Sequence, residues 1–129
     1  MKNVQKRQEL GKRAEEIALE FLEDKGLTFL EKNWRSGHRE IDIIMKSLNE
    51  RGGMILHIVE VRSLREPAVR QPFETVGFEK QRAVIAAARS FIFNYNLDCE
   101  TQFDIVSVTF GKDGVKINYF PDAFKQTWR

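Results

Sequence analysis

Two acidic residues interrupt otherwise apolar stretches of this sequence. Asp42 lies between two isoleucines, and Glu60 lies between two valines. A buried carboxylate is costly unless it is paired or binds a cation. Both positions are therefore candidates for chemistry, and their oxygen ligands favour Mg²⁺ or Mn²⁺ over Zn²⁺.

The segments that carry these carboxylates are predicted to be the two strands of one hairpin. Residues 40–46 and 54–62 are rich in β-branched residues, and two glycines precede the second segment. A hairpin centred on Arg51 places Asp42 opposite Glu60, with their Cβ atoms about 5 Å apart on the same face. Carboxylates at that separation repel each other unless a proton or a divalent cation lies between them.

Strand alternation brings further charged residues to this end of the hairpin. Glu40 falls on the face of Asp42, and Arg62 falls on the face of Glu60. The pattern indicates a candidate site with Mg²⁺ or Mn²⁺ as its cofactor. Two simpler interpretations stay open: the acidic residues mark a solvated sheet edge, or they form ion pairs with Arg62 and Arg39.

The composition predicts a single folded domain over residues 1–129. The chain has 21 Lys and Arg, 19 Asp and Glu, and 10 Phe, so its small net charge and aromatic content argue against disorder. The single cysteine, Cys99, excludes an internal disulfide and is typical of a reducing compartment. Residues 1–13 are polar and basic, which predicts no secretory signal, and no apolar run approaches the ~20 residues of a membrane span. A cytoplasmic location is expected.

The elements that must position the carboxylates follow from hydrophobic periodicity. Helical spacing of apolar residues predicts helices over 5–25 and 78–95, and alternation predicts strands over 27–34, 40–46, 54–62, 101–110 and 115–120. Residues 32–39 are predicted to form a loop, and residues 63–77 an irregular segment. The order α-β-β-β-α-β-β indicates an α/β sandwich with a mixed sheet, in which the second helix is the crossover.

Several short motifs resemble known proteins. Asp42 followed by Glu60-Val61-Arg62 resembles the D…(D/E)-x-K motif of the PD-(D/E)xK nuclease superfamily. Further segments, taken together over nearly the whole chain, are similar to the YraN-type family of small bacterial proteins: Gly11-Lys12-Arg13-Ala14-Glu15-Glu16, Asn33-Trp34-Arg35, Glu40-Ile41-Asp42, Lys80-Gln81-Arg82, Phe103-Asp104-Ile105-Val106 and Pro121-Asp122-Ala123-Phe124.

This resemblance implies a restriction-endonuclease-like fold related to Holliday junction resolvases. It implies that Asp42 and Glu60 bind Mg²⁺, that Glu15 is an additional ligand, and that the main-chain carbonyl of Val61 completes the set. Gln81 would border the site. The implied function is a Mg²⁺-dependent endonuclease that acts on DNA, branched or damaged, by metal-assisted phosphodiester hydrolysis.

Residue 62 departs from the superfamily motif, because arginine stands where the motif has lysine. An arginine keeps its charge at all relevant pH values and cannot act as a base. Arg62 could still stabilise the phosphate, or it could form a salt bridge that fills the metal site. The alternative function is a catalytically weakened nucleic-acid-binding module of the same fold, and a third is an interaction protein with no nucleic-acid role.

Basic and polar residues flank the carboxylates in sequence and are candidates for phosphate contacts with DNA: Lys32, Arg35, Arg39, Arg65, Arg70, Lys80, Gln81 and Arg82. Trp34 is interpreted as a packing residue at a strand end, with stacking on an unpaired base as the alternative. Asp104 is expected to be a structural ion-pair partner. A resolvase-like role would favour a homodimer, since a four-way junction needs two paired cuts.

Overall fold

A computed structural model of the protein describes residues 2–67 and 76–125. These ranges contain two helices and five strands in the predicted order: α1 (Lys2–Asp24), β1 (Thr28–Ser36), β2 (Arg39–Leu48), β3 (Met54–Arg65), α2 (Phe78–Asn94), β4 (Glu100–Gly111) and β5 (Gly114–Phe124). The predicted α/β class is therefore confirmed.

The five strands form one mixed sheet in the order β1-β2-β3-β4-β5. Neighbouring strands are antiparallel except β3 and β4, which are parallel. A parallel pair needs a crossover, and α2 lies between β3 and β4 in the chain. The prediction that the second helix is the crossover of a mixed sheet is thus confirmed.

The sheet has a separate core on each face. One core packs α1 against the sheet through small and branched residues: Ala14, Ala18, Leu22, Ile43, Met45, Val59, Val106 and Val108. The other packs α2 against the opposite face and includes Ile44, Ile58, Val84, Ile85, Ala88, Phe91 and Ile105. Because side chains alternate along a strand, each central strand contributes to both cores.

Helix α1 begins and ends close to the predicted bounds because its apolar stripe is regular. Ala14, Ala18 and Leu22 recur at helical spacing and are fully buried. The helix ends at Asp24, and Gly26, two residues later, adopts φ 98, a backbone conformation that glycine takes without steric cost. The amide of Leu27 then donates to the carbonyl of Leu22 at 3.1 Å, which satisfies one of the last free helix carbonyls.

The predicted loop over residues 32–39 is wrong. Strand β1 continues to Ser36, and β2 already begins at Arg39, so only Gly37 and His38 form the turn. Gly37 adopts φ 61, and Ser36 pairs with Arg39 in the antiparallel ladder. The basic residues suggested a loop because their charge masked the alternation of a strand with one exposed face.

The predicted irregular segment over residues 63–77 is wrong at its start. Strand β3 extends to Arg65, and its residues 63–65 pair with residues 108–110 of β4. Residues 68–75, with Arg70, lie outside the described part of the chain. Strand β5 likewise continues past the predicted residue 120 to Phe124, with a register irregularity opposite Phe103 and Ile105.

Neither of the helices in the described ranges is long and apolar enough to cross a membrane.

Candidate functional site

The β2–β3 ladder sets the positions of the two candidate carboxylates. It is centred on Arg51, as predicted, and runs from the pair of Leu48 and Met54 to the pair of Ile43 and Val59. Asp42 and Glu60 follow that last pair. Alternation from Ile58 directs Glu60 to the α2 side of the sheet, whereas Ile41 and Ile43 pack in opposite cores, so the alternation of β2 is interrupted at Asp42. The negative charge of Asp42 nevertheless acts on Glu60.

Asp42 ties the two strands together through its side chain. The main-chain N–H of Val61 donates to Asp42 Oδ2 at 2.8 Å. Burial raises the pKa of Asp42 above its ordinary value of 3.8, and the charge of Glu40 adds to this. The Val61 hydrogen bond and the charges of Lys80 and Arg62 act in the opposite direction. The Val61 N–H therefore holds one oxygen of the Asp42 carboxylate in place.

Glu60 is a deeply buried carboxylate with a strongly raised pKa. Its side chain is 1% exposed, and its Oε1 has no hydrogen-bond partner among residues 2–67 and 76–125. Its Oε2 lies 3.6 Å from Lys80 Nζ on α2. Burial first, and then the negative charge of Asp42, raise the pKa of Glu60 from 4.5 to about 8. A buried carboxylate with a free oxygen and an acidic neighbour is an arrangement that a proton or a cation would stabilise.

Helix α1 brings a third carboxylate towards the pair. Burial raises the pKa of Glu15, and so does the negative charge of Asp42, which places the two carboxylates in electrostatic contact. The Asn33 side chain hydrogen-bonds to Glu15. Asn33 lies on β1 between the residues paired with Ile43 and Ile41, so it stands opposite Asp42.

Asn33 was recognised in the sequence only as part of the Asn33-Trp34-Arg35 segment, and no role in the site was predicted for it. Its backbone adopts φ 52, in the left-handed region that asparagine tolerates better than most residues. Its place inside a predicted loop gave no reason to assign it a role in the site, whereas a place inside a strand opposite Asp42 would have done so.

Lys80 contributes more to the site than the sequence suggested, where it was one of several candidates for phosphate contacts. Its charge lowers the pKa of both Asp42 and Glu60, and its effect on each exceeds that of Arg62. It forms an ion pair with Glu60, with 3.6 Å between Nζ and Oε2. Arg62 itself pairs in register with Ser107 of β4, whose buried Oγ has no hydrogen-bond partner in the described part of the chain.

The described ranges contain no group of three or more His, Cys, Asp or Glu side chains arranged to hold a metal ion. The predicted ligands Glu15, Asp42 and Glu60 therefore do not form a closed three-carboxylate cage. Mg²⁺ usually binds one or two carboxylates and completes its shell with water and substrate oxygens. The Asp42–Glu60 pair has the chemistry for that kind of open site, and the Val61 carbonyl stays a predicted ligand.

Comparison with known proteins gives the family. A family model described as "Uncharacterised protein family UPF0102" matches residues 14–108. This chain belongs to that family. The matched segment includes Glu15, Asp42, Glu60 and Lys80.

Curated UPF0102 proteins from distant bacteria are similar over most of their length. The UPF0102 protein of Anaeromyxobacter dehalogenans is 38% identical over 92% of this chain and 85% of its own. That of Dictyoglomus turgidum is 38% identical over 90% of this chain and 97% of its own. That of Bacteroides thetaiotaomicron is 34% identical over 90% of this chain and 92% of its own.

In this UPF0102 protein the predicted phosphate-contacting residues fall on different surfaces. Arg39 and Arg82 line one shallow pocket beside α2, together with Glu79. Arg65 lies in another groove beside α1, with Lys6 and Arg7. The structure thus places three of the predicted residues, Arg39, Arg82 and Arg65, in two separate basic grooves.

Three other residues that were predicted to contact phosphate interact with groups of the protein itself. Arg35 forms an ion pair with Glu40 at 3.3 Å, and the charge of Lys32 acts on Glu15. Gln81 Nε2 donates to the carbonyl of Val76 at 2.9 Å, which holds the start of α2. Gln81 therefore has a structural contact of its own.

Trp34 is a packing residue in this structure. It is half-buried against the α2-side core, and its ring meets the Phe91 ring edge-to-face at 5.3 Å between centroids and 90°. This contact supports the packing interpretation.

A second polar cluster lies on the α1 side of the sheet and was only partly predicted. His57 Nδ1 lies 2.8 Å from Asp104 Oδ2, and its Nε2 lies 2.7 Å from Ser47 Oγ. Asp104 also accepts hydrogen bonds from the Tyr119 hydroxyl at 2.8 Å and from the Asp122 main-chain N–H at 2.9 Å. The predicted structural role of Asp104 is confirmed; its partner His57, a lone histidine among apolar residues of β3, was overlooked.

Proposed function

We propose that this UPF0102 protein is a Mg²⁺-dependent endonuclease that acts on DNA, branched or damaged, by metal-assisted phosphodiester hydrolysis. The observation that carries the proposal is Glu60. Its buried Oε1 lacks a hydrogen-bond partner in the described ranges, and the negative charge of Asp42 acts on the same carboxylate. Proteins tolerate such a group where function requires it.

The donor set fits a hard divalent cation. Asp42 and Glu60 offer carboxylate oxygens, and Glu15 is close enough to Asp42 for their charges to interact. When bound, the cation would lower the pKa of a coordinated water and neutralise charge on the phosphate. Burial is the main cause of the raised pKa of each carboxylate, and a neighbouring negative charge, that of Glu40 for Asp42 and that of Asp42 for Glu60, adds to it. A bound cation would offset both effects.

The chain's own residues have separable roles in this proposal. The Val61 N–H orients Asp42, and the apolar strands exclude water from around Glu60. Positive charge from Lys80 and Arg62 faces the carboxylates and would face the phosphate. Water oxygen bonds to phosphorus and loses a proton to solvent. The phosphorus–oxygen bond to the leaving group breaks, and that oxygen takes up a proton, giving a phosphate monoester and a hydroxyl.

The two basic grooves support a polyanionic substrate. Arg39 and Arg82 share one groove, and Lys6, Arg7 and Arg65 share the other. Contacts of this kind bind the phosphate backbone without reading sequence. In this proposal one groove, beside α2, and the other, beside α1, both supply affinity for the phosphate backbone.

One observation favours the alternative of a nucleic-acid-binding module. Lys80 already neutralises part of the charge on Glu60, and Arg62 cannot replace a motif lysine as a base. A protein with this pair could keep its basic grooves and bind DNA without cutting it.

A cleavage assay separates these functions. Four-way, flapped, linear duplex and single-stranded DNA are incubated with the protein and Mg²⁺ or Mn²⁺, with Glu60→Gln as the inactive variant and Glu50→Gln, in the exposed β2–β3 turn, as the matched control. We expect cleavage by the wild type and Glu50→Gln but not by Glu60→Gln. Salt-sensitive binding without cleavage would replace the enzyme with the binding module. Absence of both would leave only the interaction protein.

A further inference from the structure

We propose that Lys80 of α2, rather than Arg62 of β3, is the cationic residue that contacts the scissile phosphate, and that it is the counter-ion of ionised Glu60 until a divalent cation and substrate bind. This inference rests on the proposed function and goes beyond it. It assigns to a helix residue the role that the sequence motif would give to a strand residue.

The first support is the reach of the side chain. Lys80 Nζ lies 3.6 Å from Glu60 Oε2, and the Lys80 side chain is 44% exposed whereas that of Glu60 is 1% exposed. The lysine therefore spans from solvent to the buried carboxylate. Its ammonium is at the site, and the exposed part of its side chain leaves room for movement.

The second support is the rigid base from which Lys80 projects. It is in the first turn of α2, where the Gln81 N–H donates to the Gly77 carbonyl at 2.9 Å. The Gln81 side chain also holds the Val76 carbonyl. One turn later, Val84 and Ile85 are buried in the α2-side core. The backbone at Lys80 is thus fixed, and only its side chain needs to move.

The third support is the relative strength of the two cations. Both Lys80 and Arg62 act on Asp42 and Glu60, and Lys80 acts more strongly on each. A lysine is a compact charge on a flexible stem, so it can leave one anion for another with little rearrangement. Glu60 would pass from the ammonium to the metal ion, and the ammonium would pass to a non-bridging phosphate oxygen. Lys80 stays protonated throughout and forms no covalent bond.

The experiment compares Lys80→Met and Lys80→Arg with Arg62→Met in two measurements. Isothermal titration with Mn²⁺ should show that Lys80→Met binds the cation about two- to fivefold more tightly than wild type, because a competing charge has been removed. Its cleavage rate should fall by about 100-fold, the effect of losing one preorganised contact to the reacting group. Lys80→Arg should recover most of that loss, and Arg62→Met should lose less than about tenfold.

Because Lys80 is outside the core, thermal unfolding of each variant serves as the folding control. Equal or larger losses in Arg62→Met than in Lys80→Met, or unchanged or weaker Mn²⁺ binding by Lys80→Met, would overturn the inference while the nuclease function stands. A wild-type protein that neither binds Mn²⁺ nor cuts DNA would overturn the proposed function itself, and the inference with it.

Discussion

Glu60 carries the largest electrostatic cost of the site. It is buried in a strand of valines and isoleucines, and one of its oxygens lacks a hydrogen-bond partner among the described residues. Charged groups in such surroundings are retained where a proton, a counter-charge or a metal ion can relieve them. The Lys80 ion pair relieves only part of this cost, because the second oxygen is left unpaired.

Glu60→Gln should change how stability depends on pH. The pKa of Glu60 is about 8 in the folded protein and near its ordinary value of 4.5 when unfolded. The folded state therefore keeps a proton that the unfolded state releases, and this contribution to stability is lost as pH rises from about 4.5 to about 8. A glutamine at position 60 does not titrate, so the variant should not lose stability in this pH range.

Urea denaturation at pH 5 and pH 8.5 measures the effect. Between pH 5 and pH 8.5, the free energy of unfolding of Glu60→Gln should rise relative to that of the wild type by at least about 1 kcal/mol, which is the free energy of one pKa unit. Glu50→Gln, in the exposed turn, should follow the wild-type profile. Parallel profiles for wild type and Glu60→Gln would show that Glu60 is not the buried acid described above.

The two main carboxylates could be predicted from sequence, but their surroundings could not. Asp42 and Glu60 are visible as acidic residues in apolar strands, and hairpin symmetry about Arg51 pairs them. The approach of Lys80 depends on how α2 packs across the sheet, which no local pattern encodes. Asn33 was hidden by the mistaken loop around it.

At the scale of elements, the buried cluster at Asp104 joins the central strands. Asp104 on β4 contacts His57 on β3 and Tyr119 on β5. Burial would raise the pKa of Asp104, but hydrogen bonds from His57, the Asp122 N–H, Tyr119 and Gln102 together hold it below 3.8. One carboxylate thus fixes the register of three neighbouring strands.

Asp104→Asn should destabilise the protein by about 3 kcal/mol, because the amide cannot accept all of these hydrogen bonds. In the wild type, ionised Asp104 contributes to the free energy of unfolding above pH 3.8, and this contribution is lost as pH falls through the lowered pKa of Asp104. The stability of Asp104→Asn should therefore depend less on pH in the acid range. Urea denaturation at pH 7 and at a pH below 3.8, where Asp104 takes up its proton, tests both effects. Asp113→Asn, in the exposed β4–β5 turn, is the control, and an equal loss there would argue against the cluster.

The start of α2 can be stabilised without touching the site. Gly77 is the N-cap with φ −70 and ψ 170, it makes no side-chain cap, and a Cβ there would meet nothing within 4 Å. Gly77→Ser should raise the free energy of unfolding by about 0.5–1 kcal/mol, through a new cap and a less flexible unfolded chain. Gly52→Ser, at φ 82, should destabilise instead. Thermal unfolding distinguishes them, and a loss of stability in Gly77→Ser would contradict the capping geometry.

Elements were predictable where hydrophobic spacing was regular, and mistaken where charge concealed it. The stripe of α1 and the alternation of β2 and β3 gave bounds within a few residues. The basic end of β1 was mistaken for a loop, although its pairing with β2 makes it a strand. Strand pairing is a long-range property, so the exposed face of an edge strand leaves little signal in its own sequence.

At the scale of the whole molecule, a net charge of +2 conceals a segregated distribution. Acidic residues lie close together at the site. Basic residues line two separate grooves, one with Arg39 and Arg82 and the other with Arg65 and Lys6. A polyanion can therefore bind a nearly neutral protein through its local basic surfaces.

DNA binding should weaken steeply as salt is raised, and the Arg39→Ala, Arg82→Ala double variant should reduce the slope of log affinity against log salt by up to about 2. Arg51→Ala, in the turn at the far end of the hairpin, should leave the slope unchanged. Fluorescence anisotropy measures this slope between about 50 and 300 mM salt, a range in which phosphate contacts weaken strongly. Identical slopes in all three proteins would remove this groove from the binding surface.

The central claim, that Asp42 and Glu60 together hold a divalent cation, is tested most directly by Mn²⁺ titration followed by electron paramagnetic resonance at pH 8.5. The wild type and Glu50→Gln should each bind at one saturable site, and Asp42→Asn and Glu60→Gln should lose it. Binding that is absent in wild type, or equal in wild type and Glu60→Gln, would contradict the claim.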